Sequence, residues 1–254
     1  MPHYHFSSSR NDSAPAPPHD IVGAAPLSRG EVGFLWWFMQ GSIMEPEVRT
    51  RLRAGWGLCE RHTAAWLVIE TAFHHRYLHG PAVLYDDLME RAQRVFAGAA
   101  ALSTDGRQQR FLARRLERRG PCHLCELGLG PDSPGFVAAA RLQTGRDMSP
   151  LRAFMRETEP FWRRHVCGLC AGTQDPARCR EHLCAQLSAG VDDAGGSSRD
   201  MADEIALHIR RYDESFAWEL RGTDTVQDRA ALVAAAGWSG GWRGLLGAFG
   251  GAAP

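Results

Sequence analysis

The chain contains no lysine. All 29 of its basic residues are arginine, and 29 acidic residues balance them, so the formal charge at pH 7 is zero. No overall field therefore draws the protein toward nucleic acid or an anionic membrane. Long apolar runs are also missing. The longest compact one, GFLWWFM at 33–39, is far short of the ~20 residues a membrane-spanning helix needs. The N-terminal segment MPHYHFSSSRNDSAPAPPHD lacks the apolar centre of a secretion signal. These absences predict a soluble, cytoplasmic protein, where thiols stay reduced. No stretch alternates apolar and polar residues with turn dipeptides between, so strands are not expected. There is no H-E-x-x-H, no G-x-S-x-G and no phosphate-binding glycine loop, and the reading leans away from an enzyme.

What the chain does have is helical patterning and closely spaced cysteines. EPEVRTRLRAG places Pro46 near a helix start and Gly55 past its end, the usual punctuation. Further helices are expected over Leu58 to His79, ended by Gly80 and Pro81, and in AVLYDDLMERAQRVFAG, RQQRFLARRLERRG, PLRAFMRETEPFWRRH, MADEIALHIRRYDESFAWEL and TVQDRAALVAAAGW. The expected fold is all-α. FLWWFM is apolar all round, which suits a core helix or a dimer contact. In the C-terminal WSGGWRGLLGAFGGAAP, Trp238, Trp242, Leu245 and Phe249 fall at helical spacing. The glycines between them each weaken a helix by about 1 kcal/mol, so a loosely ordered tail with apolar anchors is expected.

Seven cysteines in a reducing compartment, spaced as they are here, read as metal ligands or redox thiols rather than disulfides. In ARCREHLC, Cys179 and His182 are three apart and share a helix face. Asp175 is expected to cap a helix beginning at Pro176, with the helix dipole favouring a Cys179 thiolate. Cys59 and His62 repeat the spacing in GLCERH; Cys122 with Cys125, and Cys167 with Cys170, form Cys-x-x-Cys pairs. Such pairs bring two sulfurs to one cation, and a helix-borne Cys-x-x-His completes a tetrahedron. Two sets are open: Cys122, Cys125, Cys179 and His182 stapling distant helices, or Cys167, Cys170, Cys179 and His182 as a compact knuckle. One structural zinc ranks first, with the spare pair nearby or redox-active. An iron–sulfur cluster on Cys122, Cys125, Cys167 and Cys170 is an alternative cofactor, as is thiol–disulfide exchange.

The segments APLS at 25–28, FLWWFMQGSIMEPEVRTRLRAGWGLCERH, PCHLCE, RCREHL and HIRRYDESFAWELRGTDTVQDRAALVAAAGW together resemble an uncharacterised family of bacterial helical proteins. Its members carry two modules of the form Cys-Pro-Leu-Cys followed by Gly-Leu-Cys-x-x-His. The resemblance spans roughly residues 25 to 237, and it implies a helical fold and metal ligands without an activity. Ala25 and Ser28 stand where that pattern has cysteines. On the resemblance, Cys59 and His62 are left without partners, the first site is lost, and the set Cys122, Cys125, Cys179 and His182 is favoured. His74, His75 and His79 are expected at the surface, with His75 ~20 Å along a helix from His62. The implied organisation is a disordered segment at 1–24, a first helical module at 25–104 with a degenerate site, and a second at 105–192 with the Cys/His cluster. C-terminal helices at 193–237 and a Gly/Trp-rich tail at 238–254 follow.

Two partner classes remain. A zinc-stapled helical protein suits a protein partner or a homo-oligomer, as an interaction or regulatory module. The segment 107–119 carries six arginines and one glutamate. Arg107, Arg110, Arg114 and Arg118 form a stripe that suits phosphates, set against a solvated face beside apolar Phe111, Leu112 and Leu116.

Overall fold

The computed structural model describes residues 25–73, 78–102, 105–191 and 195–250. The disorder expected for 1–24, the placement of His74 and His75, and the last four residues of the tail lie outside the described residues. Among the described residues all regular structure is helical, so the fold is all-α.

Two helices form the centre, and their composition explains why. In α3 (Glu60–Ala72) every residue from Arg61 to Thr71 is buried; in α12 (Val226–Gly240) the same holds from Ala230 to Gly240. The buried run of α12 is almost wholly apolar or small, whereas α3 is apolar from Ala64 to Ile69 and buries Arg61, His62, Thr63, Glu70 and Thr71 beside it. Around α3 pack α1 (Arg29–Phe38), α7 (Ala139–Gly145), α8 (Ser149–Trp162) and α13 (Arg243–Phe249). Around α12 pack α4 (His79–Ala100), α8, α10 (Arg180–Ser188) and α11 (Gly195–Glu214). The small residues Ala230, Ala231, Ala234, Ala235 and Ala236 let those neighbours come close. The remaining helices are α2 (Pro46–Ala54), α5 (Asp105–Leu116) and the one-turn α6 (His123–Glu126) and α9 (Gly168–Ala171).

Four expectations need correction. First, no single helix runs from Leu58 to His79. The chain leaves α3 at Phe73, whose backbone is extended, and α4 begins at His79. Gly80 and Pro81 open a helix instead of closing one, because the first turn has no intrahelical use for the N–H that proline lacks. Second, Asp175 does not cap α10. Its Oδ1 accepts the Ala177 N–H at 2.8 Å in a local turn, and the helix starts at Arg180 with Cys179 as its N-cap.

Third, the tail is docked rather than loose as far as Gly250. Trp238, Trp242 and Leu245 are fully buried, Trp162 stacks on Trp242 at 5.8 Å, and Phe249 meets Trp162 edge-on at 5.6 Å. Its glycines serve contact: a Cβ on Gly244 would collide with the Glu60 carbonyl of α3. Tertiary packing outweighs the helix propensity those glycines cost. Fourth, the apolar α1 is not buried on every side. Leu35 and Phe38 are buried, Trp37 is half exposed, and the Arg141 guanidinium covers Trp36 at 3.8 Å.

The approach to α3 stores strain. Trp56 adopts φ 54°, a left-handed conformation that costs a bulky residue about 1–3 kcal/mol. Its ring is held edge-on to Trp238 at 5.9 Å and under the Arg91 guanidinium at 3.8 Å. That turn carries the chain from α2 to Cys59.

Candidate metal centres

All four cysteine motifs share one local device. Cys59, Cys122, Cys167 and Cys179 are the N-caps of α3, α6, α9 and α10, with ψ between 122° and 171°. His62, Cys125, Cys170 and His182 are then the third residue of each helix. N-cap and third-position side chains face one another, as in a Ser-x-x-Glu capping box. Here two metal-ligating atoms replace the hydroxyl and carboxylate. The free N–H groups of a first turn also favour a thiolate. Those of Cys170 and Cys179 reach the Cys167 sulfur, and that of His182 reaches Cys179.

The four motifs meet in two groups: Cys59, His62, Cys122 and Cys125, and Cys167, Cys170, Cys179 and His182. Within each, the four donor atoms all lie within 4.8 Å of one another. In the first, His62 Nδ1 is 3.3, 3.5 and 3.4 Å from the sulfurs of Cys59, Cys122 and Cys125, and Cys59 is 3.8 Å from Cys125. In the second, His182 Nδ1 is 3.3, 3.4 and 3.2 Å from those of Cys167, Cys170 and Cys179, and Cys170 is 3.8 Å from Cys179. A tetrahedral zinc, with Zn–S about 2.3 Å and Zn–N about 2.0–2.1 Å, sets sulfurs about 3.8 Å apart and S···N about 3.6 Å. In both groups the S···S distance of 3.8 Å matches, and the S···N distances, 3.3–3.5 Å in the first and 3.2–3.4 Å in the second, are slightly shorter.

The set Cys122, Cys125, Cys179 and His182 is therefore not brought together; its halves sit in different groups. Cys59 and His62 are not orphaned, because Cys122 and Cys125 supply the sulfurs that Ala25 and Ser28 do not. The pair Cys167 and Cys170, the alternative ligands, joins Cys179 and His182 in the knuckle. The four-thiolate set for an iron–sulfur cluster is likewise divided. All seven cysteines are free thiols, and Cys184 stands outside both groups, 3.2 Å from the Ala113 carbonyl.

The first group is buried and braced from α1. Ser28 and Glu31 form a capping box, and Glu31 is fully buried. Arg61 grips its carboxylate with Nε on Oε1 at 2.6 Å and Nη2 on Oε2 at 2.8 Å. Oε1 also lies 3.4 Å from His62 Nε2, a long contact without hydrogen-bond alignment. A carboxylate behind the non-ligating ring nitrogen fixes the tautomer and orientation of a metal-binding histidine. Burial alone would raise Glu31, but His62, Arg61 and the Ser28 backbone outweigh it and hold it at about 2. Burial would lower His62, yet Cys122, Cys125 and Glu31 raise it to about 11. The pocket thus favours a positive charge at its centre.

The second group is a shorter knuckle. Gly172, left-handed at φ 70°, ends α9, and the chain returns with the Gly168 N–H on the Ala177 carbonyl at 3.1 Å. Beside Cys179, Arg180 is buried and donates to the carbonyls of Ser239 at 3.0 Å and Leu116 at 2.6 Å. Burial, then Arg118, lowers its pKa to about 10. Among the described residues no carboxylate lies within ion-pair distance of it. The turn between α12 and α13 touches the second group and the residue after Cys59: the Trp242 N–H faces Cys170, and the Arg243 N–H donates to Glu60 Oε1 at 3.3 Å.

Comparison with protein-family models, curated proteins and solved structures yields no match for this chain. Two Cys3His groups that could hold a metal ion, on an all-α scaffold, are what the geometry establishes. Among the described residues no helix is long and apolar enough to cross a membrane.

Proposed function

We propose that each group binds one zinc ion, and that both ions are structural parts of a non-catalytic interaction or regulatory protein. One observation carries this reading. In both groups the sulfur and nitrogen atoms are spaced as the corners of a single tetrahedron about one ion. Three cysteines and a histidine close that sphere with protein atoms and leave no position for water or substrate, the arrangement of structural rather than catalytic zinc. A soft, sulfur-rich tetrahedral set also suits zinc better than the hard cations.

Charge supports the same reading. Three thiolates around a divalent ion leave a net charge of −1, which offsets the buried Arg180 beside the second group. In energetic terms, structural zinc contributes about 10–16 kcal/mol of apparent binding free energy at pH 7. That matches or exceeds the total stability of a typical domain, about 5–15 kcal/mol. The first ion would tie α3 to α6 across 60 residues of chain; the second would close a local knuckle onto α12 and α13. We also place the chain in the helical family it resembles, with the first site rearranged. In support, Arg61 ties the backbone of Ala25 and Pro26 next to His62, at 3.2 and 3.3 Å.

Elemental analysis of protein purified without oxygen tests this. Two zinc per chain are expected, with Cys125→Ser losing one and Cys170→Ser losing the other. A single zinc, iron with a visible absorbance band, or no metal with a reversible disulfide would overturn it.

A further inference from the structure

α5 carries a charge arrangement that the metal groups do not use. Its apolar side, Leu112 and Leu116, is buried, while Arg107, Arg110, Arg114 and Arg115 are exposed, with Arg119 just beyond the helix end. At 100° per residue the first three and Phe111 lie within a third of a turn, with Arg115 at its edge. A surface depression of about 380 Å³ is lined by Arg107, Arg110, Phe111, Arg114 and Arg115.

What sets these arginines apart is their concentration. Elsewhere some exposed and half-buried guanidiniums meet carboxylates, such as Arg51 with Glu126, Arg53 with Asp87, Arg164 with Glu204, Arg210 with Asp86 and Arg229 with Glu157 and Asp224, while others without one, Arg141, Arg156, Arg211 and Arg221, lie apart from each other along the chain. None of the five on and beside α5 has a carboxylate within 4.0 Å among the described residues. Two acidic residues flank the row in sequence, Asp105 before Arg107 and Glu117 between Arg115 and Arg119, and the charge of Glu117 acts on Cys184 across the α5–α10 contact. The cluster continues onto α4: after burial, Arg119, Arg53 and Arg115 are what lower Arg91, to about 10. So a chain of zero formal charge concentrates positive charge on one exposed face, where an anion can approach it.

The helix bearing it is also fixed. The Arg118 guanidinium donates to the carbonyls of Gly57 at 3.3 Å and Leu58 at 2.9 Å, Arg180 to that of Leu116, and Cys184 to that of Ala113. A helix already held in place adds no backbone-ordering cost when its guanidiniums meet a row of phosphates.

We propose that this face binds the phosphate backbone of duplex nucleic acid without reading base sequence. The helical row from Arg107 to Arg115 is about 12 Å long, which spans about four phosphates of one strand at about 3.4 Å each. Its aromatic, Phe111, is no stacking platform. The ring is half-buried against Gly98 and covered by Arg115 at 5.4 Å. Readers of single strands need exposed aromatics, and backbone readers do not. An acidic peptide would present a lower, floppier charge density and bear its own ordering cost. The inference does not depend on the identity of the metal.

The test is fluorescence anisotropy with a labelled 16-base-pair DNA duplex between 50 and 200 mM salt, using the full chain. Four phosphates neutralised give a logarithmic salt slope of about −3.6, or about a 150-fold loss of affinity across that range. In the quadruple variant Arg107→Gln, Arg110→Gln, Arg114→Gln, Arg115→Gln, binding at 50 mM salt should be lost, with helicity and metal content unchanged. Arg199→Gln with Arg210→Gln, on α11, should bind like the parent. Three results would overturn the proposal: no binding by the parent at 50 mM salt, equal binding by the quadruple variant, or displacement of duplex by a polyglutamate peptide of matched charge at lower concentration. The last would make the partner an acidic protein.

Discussion

Glu70 offers the sharpest thermodynamic test of the core. It lies on α3, 6% exposed, and its Oε1 accepts the Trp66 indole N–H at 3.0 Å. Burial raises its pKa from 4.5 to about 7, and the Trp66 hydrogen bond offsets only part of that. The folded protein therefore binds this proton more tightly than the unfolded chain does. Stability from the group is fully present below pH 4.5 and is lost as pH rises through about 7. Linkage gives a cost of about 1 kcal/mol at pH 5 and about 3 kcal/mol at pH 8. Glu70→Gln cannot ionise but still offers Trp66 an amide oxygen. Urea denaturation of both proteins at constant zinc should show the variant gaining about 2.5 kcal/mol relative to the parent between pH 5 and pH 8. Any pH-dependent loss of metal is common to both and cancels in the difference. The new amide adds an offset equal at both pH values, so the slope is the readout. A difference that stays flat from pH 5 to 8 would refute a buried, protonatable Glu70.

Other outcomes follow from the same packing. Gly244→Ala should destabilise the fold by about 1–3 kcal/mol in thermal melts, because the new methyl meets the backbone of Glu60, its carbonyl carbon 2.9 Å away, and neither helix can give way easily. Glu31→Gln should weaken metal retention at the first group about 10- to 100-fold in chelator competition while leaving the second group unchanged, because only His62 has Glu31 behind it. Equal loss from both groups would mean a global effect rather than support of His62.

Much of the fold was legible from periodicity and punctuation. The α2 boundaries follow from Pro46 and Gly55, and α12 falls almost where TVQDRAALVAAAGW was expected to be helical. Ends governed by tertiary contact were not legible. Gly80-Pro81 serves equally well in a first turn or past a last one, and only the extended Phe73 backbone decides between them. The glycines of the C-terminal helix lower its propensity, and the docking of Trp242 that overrides this is invisible to local sequence. At the candidate site, each half-motif was readable on its own because Cys-x-x-Cys and Cys-x-x-His are local devices of a helix start. Their pairing is a long-range property. Cys59 and His62 meet Cys122 and Cys125 across 60 residues, in the reverse of the order seen in the knuckle, and an argument from motif order paired them wrongly. The signal that could have found it was arithmetic: four half-sites make two complete tetrahedra with no donor left over. The brace from Glu31 was half legible: Ser28-x-x-Glu31 before an apolar run is the spacing of a capping box, but nothing local points that carboxylate at His62.

X-ray absorption at the zinc edge, on the protein loaded to saturation, tests the account most directly. Two closed Cys3His sites predict an average shell of three sulfurs at about 2.3 Å and one nitrogen at about 2.0–2.1 Å. A shell averaging two sulfurs with added oxygen or nitrogen, or four sulfurs without an imidazole, would contradict it.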